Sequence, residues 1–463
     1  MIGRRQEEEA KTGDDSDREL IEDINTALDY IEGEFSSTTA NLGSLLKHGD
    51  ITYDLLWAIF KPGVVVYTDK NLLRELQAVR FLFCSYEESQ QGKWLEIRAQ
   101  MIHHDGNEIG WGITSLRIPY FEGGRQITSL AAYPLDLHPQ ADMVRSFLVE
   151  RGRKYVSIIK KPLCMEYRDL AIYQEKVLDK LEAKRFSATG RIMIDPNTFQ
   201  SINPNAYGLL EPDVFDDGAI NIETLSDGDL IYCDHQILGF SFAQKRWGAF
   251  AVSSMDNVTW DEEGFKKLIL EDSKRRIISL LVTSHRISEG SFDDIVKGKG
   301  RGLVGLLSGS PGVGKTLTAE VVAELSQRPL YAVSAGELGT TVEKVDRQLG
   351  MVLDITRRWN CVLLIDEADV FLHKRGDAEL KKNALVSVFL RRLESVNSHL
   401  LSLPGIHYAP KLMIMEHRYF QGIVILTTNR RQDIDEAFES EYSTSIKASP
   451  LLHFARGLTN ANG

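Results

Sequence analysis

The last third of the chain, from about residue 291, alternates short apolar runs with segments of helical period. The runs lie within RGLVGLLSG, RPLYAVSA, CVLLIDE and GIVILTTN. Apolar runs without polar alternation are typical of strands that are covered on both faces, and strands that alternate with helices are typical of a parallel sheet. We therefore predict an α/β fold here, a parallel sheet with helices on both faces.

The preceding part, at about residues 46–260, has the period of two that half-buried strands show. The stretch WLEIRAQM alternates apolar and polar residues, and Asp105-Gly106 is a hairpin-turn dipeptide that leads into EIGWGITSLRI. Further strand signals lie in GRIMID, GDLIYCD and RWGAFAVSS. Apolar residues three and four apart predict one helical segment near residues 167–186. We expect a β-rich N-terminal region with that single helical interruption.

Two charged segments flank the β-rich region. Residues 1–40 hold twelve acidic and four basic side chains, a local charge of -8 in a chain whose total is -12. This composition predicts that residues 1–45 are a disordered tail or a solvated helix, with an interaction tail for a basic partner as the alternative. Residues 261–290 predict an amphipathic linker helix, which opens with acids and closes with bases as the helix dipole favours.

Composition excludes several classes of function and location. A net charge of -12 gives no reason to expect nucleic acid as a ligand. Four widely spaced cysteines (Cys84, Cys164, Cys233 and Cys361) form no C-x-x-C pair, which argues against a zinc site or a disulfide framework and fits a reducing compartment. Neither a transmembrane run nor a signal-peptide core is present. We expect a soluble, intracellular protein of the cytoplasm or nucleus.

A phosphate-binding loop follows the first apolar run. GSPGVGKT, residues 309–316, matches G-x-x-x-x-G-K-[ST], in which glycines turn backbone N–H groups toward a phosphate. Lys315 can reach the β and γ oxygens of ATP, Thr316 can ligate Mg²⁺, and the helix that begins at Lys315 directs its positive end at the same anion. The residues expected to bind the nucleotide are Gly309, Ser310, Pro311, Gly312, Val313, Gly314, Lys315, Thr316 and Leu317.

Polar side chains at the ends of two later strands complete the predicted site. Asp366 ends CVLLID and is placed to hold Mg²⁺ through water, while Glu367 can polarise the water that attacks the γ-phosphate. Asn429 ends VILTTN and could position that water. The predicted catalytic residues are therefore Lys315, Glu367 and Asn429, and the predicted metal ligands are Thr316 and Asp366. Without the phosphate loop upstream, a solvated strand end and a turn cap would explain the same residues.

These three elements, in this order, resemble the AAA+ ATPases. The likeness covers about residues 287–438, with FDDIV (292–296) similar to the segment beside adenine and DIDEAF (433–438) following the third strand. It is closer to fungal AAA ATPases with a long β-rich N-terminal region, through GRIMID and LIYCDHQILGFS. The resemblance implies a P-loop NTPase fold, hydrolysis of ATP with Mg²⁺, a homo-oligomer, usually a hexamer, and mechanical work on an unknown protein client.

Two rival readings of the motifs fail. The letters DEAD at 366–369 also occur in helicases, but the Ser-Ala-Thr triplet that should follow lies upstream at 187–189, and 94 residues after Asp369 are too few for a second motor domain. A GTPase would need N-K-x-D for guanine, and no Asn in the chain is followed by Lys. Adenine is the expected base.

The chain departs from the AAA+ pattern in two of the loops. Leu338-Gly339 stands where the family usually places an aromatic residue that faces a central pore, which argues against polypeptide threading. Residues 395–418 are an apolar insertion where a turn of about 2–6 residues is expected. A translated intron would explain this insertion, and a client-binding or membrane-touching loop is the alternative.

The third departure is at the C-terminal end. Glu441 stands where the family has an arginine that reaches the neighbouring subunit's γ-phosphate, and such residues contribute roughly 10³–10⁵ in turnover in related phosphoryl transfer. Only 25 residues follow Phe438, too few for the family's helical lid. We therefore expect weak ATP binding and slow hydrolysis by an AAA+ core at 291–463 without that lid. An ATP-binding scaffold or a truncated product is the alternative.

Overall fold

The protein is described as a computed structural model, which covers most of the N-terminal region and the centre of the α/β region. The described residues are 15–90, 92–104, 106, 108–177, 180–203, 215–267, 275–276, 278–279, 303–372, 380–394, 422–429 and 445–447. The sequence features that lie outside them are FDDIV, the insertion 395–418, DIDEAF, Glu441 and most of the predicted linker helix.

The helices and strands follow one another along the chain. The helices are α1 (Asp15–Glu34), α2 (Ser36–Lys47), α3 (Ala141–Ile158), α4 (Pro196–Ile202), α5 (Asp227–Leu230), α6 (Gly264–Lys267), α7 (Lys315–Ser326), α8 (Ala335–Leu338), α9 (Val342–Arg358), α10 (Asp369–Leu372) and α11 (Leu380–Glu394). The strands are β1 (Asp50–Thr52), β2 (Val65–Thr68), β3 (Gln77–Ser89), β4 (Gly92–His104), β5 (Ile109–Pro119), β6 (Gly124–Gln126), β7 (Tyr133–Pro134), β8 (Leu163–Val177), β9 (Lys180–Ile194), β10 (Phe215–Ala219), β11 (Gln236–Ser241), β12 (Arg246–Ala251), β13 (Met255–Asn257), β14 (Leu303–Ser308), β15 (Leu330–Ser334), β16 (Val362–Asp366), β17 (Ile423–Thr428) and β18 (Ser445–Lys447).

The acidic N-terminal segment is helical where it is described. Helices α1 and α2 follow each other directly, and most of their described side chains are exposed, with Leu28 as a buried exception. Acidic residues near the start of α1 favour a helix because they face the positive end of its dipole. The helices over residues 15–34 and 36–47 agree with the solvated-helix form of the prediction and not with its disordered form.

An antiparallel sheet forms the first half of the β-rich region, with strand order β10-β5-β4-β3-β2-β7. The predicted hairpin is confirmed, because β4 pairs with β5 from Trp94↔Pro119 to His104↔Ile109. The apolar face of β4 is buried as expected, but Glu96 on the opposite face is buried too. It accepts hydrogen bonds from Trp94 Nε1 at 2.7 Å and Arg117 Nε at 2.9 Å, which satisfy the carboxylate.

A second antiparallel sheet has the order β12-β11-β9-β8-β13, and a further pairing of β12 with β8 closes four of its strands on themselves. The helix predicted near residues 167–186 is wrong, because this stretch forms the β8–β9 hairpin, paired from Leu163↔Ile194 to Val177↔Lys180. Non-local pairing overrides local helical periodicity here. Near the hairpin turn, where burial is described, Glu175 and residues 181–183 are exposed, so the alternation of a half-buried strand is missing there.

The strand predicted in GDLIYCD is also wrong. Residues 227–230 form α5, whose N-cap Ser226 accepts from the backbone of Asp229 while the Asp229 side chain accepts from the backbone of Ser226. This reciprocal capping box favours a helix at that point. Cys233 then makes one isolated bridge to Ile102 of the first sheet. Side chains of both sheets and of α3 share one buried core.

A parallel sheet with order β15-β16-β17-β14-β18 forms the α/β region, as predicted. Apolar side chains on one of its faces pack against α9, α10 and α11. Those on the other face pack against α6 and α7. Helices therefore cover both faces, and the carboxyl ends of β14, β16 and β17 meet at one edge.

The second antiparallel sheet and the α/β region share a buried aromatic contact. Phe240 stacks on Tyr331 with ring centroids 5.5 Å apart, and Met193, Trp359 and Cys361 are buried in the same cluster. Polar contacts surround it, among them an ion pair between Arg191 and Glu324 of α7 at 2.6 Å. The two regions are thus joined by a small shared buried cluster and not only by the chain. Among the described helices, none has the length and apolar character that crossing a membrane requires.

Candidate nucleotide-binding site

The loop between β14 and α7 lies at the carboxyl end of β17, the central strand of the sheet. Gly309 N donates to the carbonyl of Thr428 at 3.3 Å, which ties the loop to β17. Gly312 and Gly314 have φ values of 78° and 86°, a region that side-chain-bearing residues rarely occupy. Gly314 is also the N-cap of α7. The glycines of the predicted motif therefore create a tight turn that ends at a helix N-terminus.

Lys315 lies at the centre of the site. Its ammonium group donates to the carbonyls of Gly309 and Ser310, each at 3.0 Å, and to Asn429 Oδ1 at 2.9 Å. Partial burial lowers the pKa of Lys315, while the nearby carboxylates of Asp366 and Asp369 act in the opposite direction. The contact joins two residues that are 114 positions apart in sequence and that were both predicted to be catalytic.

Thr316 and Asp366 lie side by side. The Thr316 hydroxyl donates to Asp366 Oδ2 at 3.2 Å. Two hard oxygen donors on adjacent elements fit Mg²⁺, which is usually bound by one or two protein oxygens together with phosphate and water. In the described part of the chain no three His, Cys, Asp or Glu residues are grouped as a metal site. Thr316 and Asp366 therefore suit an ion that also takes ligands from a phosphate.

Glu367 has a backbone conformation that is unusual for a residue with a side chain. Its φ is 55°, and its N–H lies 3.1 Å from both Thr427 Oγ1 and Asp366 Oδ1. Such strain persists where surrounding contacts enforce it, and it is often found at functional sites. Asp366 ends β16, so the strained peptide immediately follows the strand and turns the chain into α10.

The reasoning from sequence missed three functional candidates, which are Thr427, Thr428 and Asp369. Thr427 donates to Asp366 Oδ1, Thr428 donates to Asp369 Oδ1, and Asn429 N donates to Asp369 Oδ1 at 3.2 Å. Each of them lies inside a motif whose neighbours were chosen, DEAD or VILTTN. For Thr427 and Thr428, the only signal in the sequence was that two hydroxyl residues in succession end a buried strand. A strand end does not require hydroxyl residues.

The side chain of Leu338, in the predicted loop departure Leu338-Gly339, faces the core. Leu338 is buried with a relative exposure of 1% in the core beside α9. Gly339 has a φ of 107°, and a Cβ atom there would lie 3.0 Å from Lys344 Cβ. The apolar side chain at this position is thus part of the core.

A P-loop fold with a phosphate loop, a strand-end acid pair and a strand-end Asn defines a class of nucleoside-triphosphate-binding domains. Comparison with known families narrows the class: residues 305–449 match the family described as "ATPase family associated with various cellular activities (AAA)". The chain therefore contains an AAA domain, a class of ATPase domain. Residues 41–139 match a second family, described only as a domain of unknown function, DUF7025.

Similarity to individual proteins is confined to part of the chain. An ATP-dependent zinc metalloprotease FtsH of Lancefieldella parvula is 31% identical over 206 residues, 43% of this chain and 27% of that protein. Fidgetin-like protein 1 of Caenorhabditis briggsae is 29% identical over 143 residues, 30% of this chain and 21% of that protein. A crystal structure of the FIGL-1 AAA domain is 25% identical, with a TM-score of 0.25, and the match covers 38% of this chain and 49% of that one. The chain spans 17% to 27% of the lengths of such curated relatives.

Proposed function

We propose that this protein binds ATP with Mg²⁺ and hydrolyses it, and that it uses the energy to remodel a protein client. The observation that carries the proposal is the convergence of Lys315, Thr316, Asp366 and Asn429 at one sheet edge. Lys315 supplies the positive charge, the loop supplies backbone N–H groups, and the N-terminus of α7 adds the favourable end of its dipole. A polyphosphate is the ligand that this arrangement suits.

Each residue of the site has a distinct role in this proposal. The Lys315 ammonium, held by Asn429 and two carbonyls, exchanges some of these contacts for the β and γ oxygens of ATP. Thr316, and Asp366 through water, would hold Mg²⁺, which would neutralise charge on the phosphates. Glu367 accepts a proton from the attacking water, and Asn429 orients that water. Because catalysis of phosphoryl transfer is mainly positioning and charge stabilisation, the proposal assigns hydrolysis to these groups.

The assembly and the client are proposed from resemblance to AAA proteins. A homo-oligomer is expected because in the AAA+ family a neighbouring subunit completes the site. Threading through a pore is not part of the proposal, since Leu338 is buried. The β-rich N-terminal region favours the fungal type of AAA ATPase, and four unpaired cysteines favour the cytoplasm or nucleus.

The experiment is steady-state ATP turnover of the full chain over a range of protein concentrations, with Glu367→Gln and Lys315→Ala alongside. We expect slow turnover that rises per subunit with concentration, that is lost in Glu367→Gln, and that is lost together with ATP binding in Lys315→Ala. Equal turnover in the wild type and in Glu367→Gln would contradict hydrolysis at this site.

The second candidate is an ATP-binding scaffold, and the observation that favours it is Glu441 in place of the family's arginine. An acid at that position would repel the phosphate that the arginine stabilises. The scaffold predicts Mg·ATP binding that Lys315→Ala abolishes, with no turnover above that of Glu367→Gln. An absence of ATP binding in the wild type would contradict both candidates.

A further inference from the structure

The ends of β16 and β17 are joined by hydrogen bonds that the sheet itself does not supply. The parallel ladder between these strands runs from Val362↔Ile423 to Ile365↔Leu426. Beyond that point Thr427 and Asp369 make the cross-strand contacts. The end of β16 carries Asp366 and Glu367, and the end of β17 carries Asn429. Contacts between the two strand ends therefore set the relative positions of these site residues.

Thr427 reaches from β17 to the acid pair. Its hydroxyl donates to Asp366 Oδ1 and accepts from Glu367 N at 3.1 Å, while its carbonyl accepts from Ala368 N at 2.9 Å. The residue is 1% exposed, so water does not compete for these contacts. Three consecutive residues of the β16 end are thus fixed by one residue of β17.

The contacts of Thr427 give the two oxygens of the Asp366 carboxylate different partners. Oδ1 accepts from the Thr427 hydroxyl and from Glu367 N, which leaves Oδ2 facing Thr316 Oγ1 at 3.2 Å. The terminal torsion of an Asp side chain is broad and nearly two-fold, so the carboxylate has little intrinsic preference for this orientation. Thr427 also opposes relaxation of the strained peptide at Glu367, whose φ is 55°.

Asp369 makes the reciprocal connection. It lies just after the acid pair, at the first residue of α10, and its Oδ1 accepts from the Thr428 hydroxyl and from Asn429 N at 3.2 Å. Asn429 in turn accepts from Lys315 Nζ at 2.9 Å. A carboxylate from the β16 side therefore fixes the Asn from the β17 side, together with its contact to the phosphate-loop lysine.

We infer that Thr427 and Asp369 form a clasp of two positioning residues, each of which fixes the functional residues of the other strand end. Neither contacts the proposed nucleotide; Thr427 acts through Asp366 and Glu367, and Asp369 acts through Asn429. The inference rests on the proposed function, because the clasp sets the geometry of the groups that hold Mg²⁺ and activate water.

The test compares Thr427→Val, which removes the hydroxyl at constant shape, with Thr427→Ser, which keeps it. The matched control is Thr356→Val, because Thr356 is equally buried and its hydroxyl bonds only to carbonyls within α9. Asp369→Ala is compared with Asp369→Asn in the same way, since Asn retains an acceptor oxygen.

The first readout needs no nucleotide. Hydrogen exchange of the peptide that contains residues 366–369 is measured in the free protein. We expect faster exchange in Thr427→Val at the Glu367 amide, which donates to the Thr427 hydroxyl. The Ala368 amide donates to the Thr427 carbonyl, which Val keeps. Thr427→Ser and Thr356→Val should show wild-type exchange. Exchange in Thr427→Val equal to that of the wild type would overturn the clasp.

The second readout is ATP affinity with Mg²⁺ and with EDTA. We expect Thr427→Val to lose roughly 10–100-fold of the affinity that Mg²⁺ adds, as removal of groups that orient metal ligands generally does, with its affinity in EDTA unchanged. For Asp369→Ala we expect kcat to fall by roughly the same factor with a smaller change in KM, and Asp369→Asn to recover part of the loss.

The outcomes separate the clasp from the function. If the wild type binds Mg·ATP more tightly than ATP alone and Thr427→Val gains as much from Mg²⁺, the clasp is wrong and the proposed function stands. If the wild type binds no Mg·ATP, the proposed function is wrong. The positioning role of Thr427 and Asp369 is then wrong too, even if hydrogen exchange detects their contacts. Loss of the Mg²⁺ gain in Thr427→Val, with recovery in Thr427→Ser, supports both.

Discussion

The indole N–H of Trp359 donates a hydrogen bond of 2.7 Å to Asp195 Oδ2, and both residues are buried. Trp359 is the C-cap of α9 in the AAA domain, and Asp195 is the N-cap of α4 in the β-rich region, where its Oδ1 accepts from Thr198 N. One carboxylate therefore satisfies groups on both sides of the contact. Because a buried carboxylate is costly to leave unpaired, the β-rich region and the AAA domain depend on each other at this point.

The first prediction follows from this hydrogen bond. Trp359→Phe keeps an aromatic ring in the cluster but removes the donor, which leaves Asp195 Oδ2 without its indole partner. We expect the free energy of unfolding to fall by about 1–3 kcal/mol, the usual cost of a buried polar group without its partner. Chemical denaturation followed by circular dichroism measures it.

The matched control for this substitution is Trp57→Phe, since Trp57 is 49% exposed and lies far from this contact in sequence. We expect its effect to stay within about 0.5 kcal/mol, as for most surface substitutions. Equal destabilisation by the two substitutions would show that the hydrogen bond to Asp195 contributes nothing specific.

The second prediction concerns the backbone of the phosphate loop. Gly312 has a φ of 78°, and no heavy atom lies within 4 Å of a Cβ added there, so Gly312→Ala has room and its cost is conformational. We expect a loss of about 1–2 kcal/mol from the left-handed backbone, together with weaker ATP binding as the loop relaxes. Gly305→Ala in β14 is the control, because its φ is ordinary and its nearest neighbour is 3.9 Å away. Unchanged ATP affinity in Gly312→Ala would exclude a strained loop as the binding form.

The third prediction is a pH dependence of stability that arises at Asp234. Burial by itself raises the pKa of this carboxyl. The hydrogen bond from His103 Nδ1 at 2.8 Å and the adjacent imidazole of His235 lower the pKa by more than burial raises it, so the net shift is downward. A carboxyl whose pKa is lower in the folded state than its unfolded value of about 3.9 stabilises the fold at neutral pH. This contribution begins to fall below about pH 5 and is lost progressively as the pH drops toward the folded pKa.

Unfolding free energies at pH 7 and pH 3.5 check this expectation. We expect the wild type to lose more stability between these values than Asp234→Asn, which cannot titrate at this position. Parallel pH profiles for the two proteins would mean that Asp234 has the same pKa folded and unfolded.

The parts of the fold that were predictable are those in which local pattern and global structure agree. The four apolar runs became β14 to β17 because a strand covered on both faces needs apolar residues throughout. The phosphate loop was predictable because its glycines are required by backbone conformation, as the φ values at Gly312 and Gly314 show. The β8–β9 hairpin was not, since cross-strand pairing rather than an alternation of buried and exposed residues sets the conformation near its turn.

The candidate site was predictable as far as the groups expected to touch the phosphates, the metal ion or the attacking water. Asp366, Glu367 and Asn429 stand at strand ends in a recognisable order, and the structure brings Lys315 and Asn429 into contact. Thr427 and Asp369 could not be singled out, because their importance lies in which strand end each one contacts. That information depends on β16 and β17 being neighbours in register, which a single sequence does not state.

The last prediction ranks two ion pairs between the β-rich region and the AAA domain. Arg191 pairs with Glu324 at 2.6 Å, with side chains 18% and 22% exposed, and its guanidinium lies 4.1 Å from the Trp260 ring centroid. Lys245 pairs with Glu337 at 2.7 Å, but those side chains are 43% and 46% exposed. Solvent and salt screen the second pair far more than the first.

We therefore expect Arg191→Met to lower the free energy of unfolding by about 1–3 kcal/mol, between the values typical of exposed and buried pairs, and Lys245→Met to lower it by less than about 1 kcal/mol. Both substitutions keep an unbranched apolar stem and remove one positive charge, so they are matched controls for each other. The measurement is denaturation at low and at high salt, where the Lys245→Met difference should shrink and the Arg191→Met difference should persist. Equal effects would mean that burial does not set the strength of these contacts, and that the Arg191 pair does not hold the β-rich region against α7.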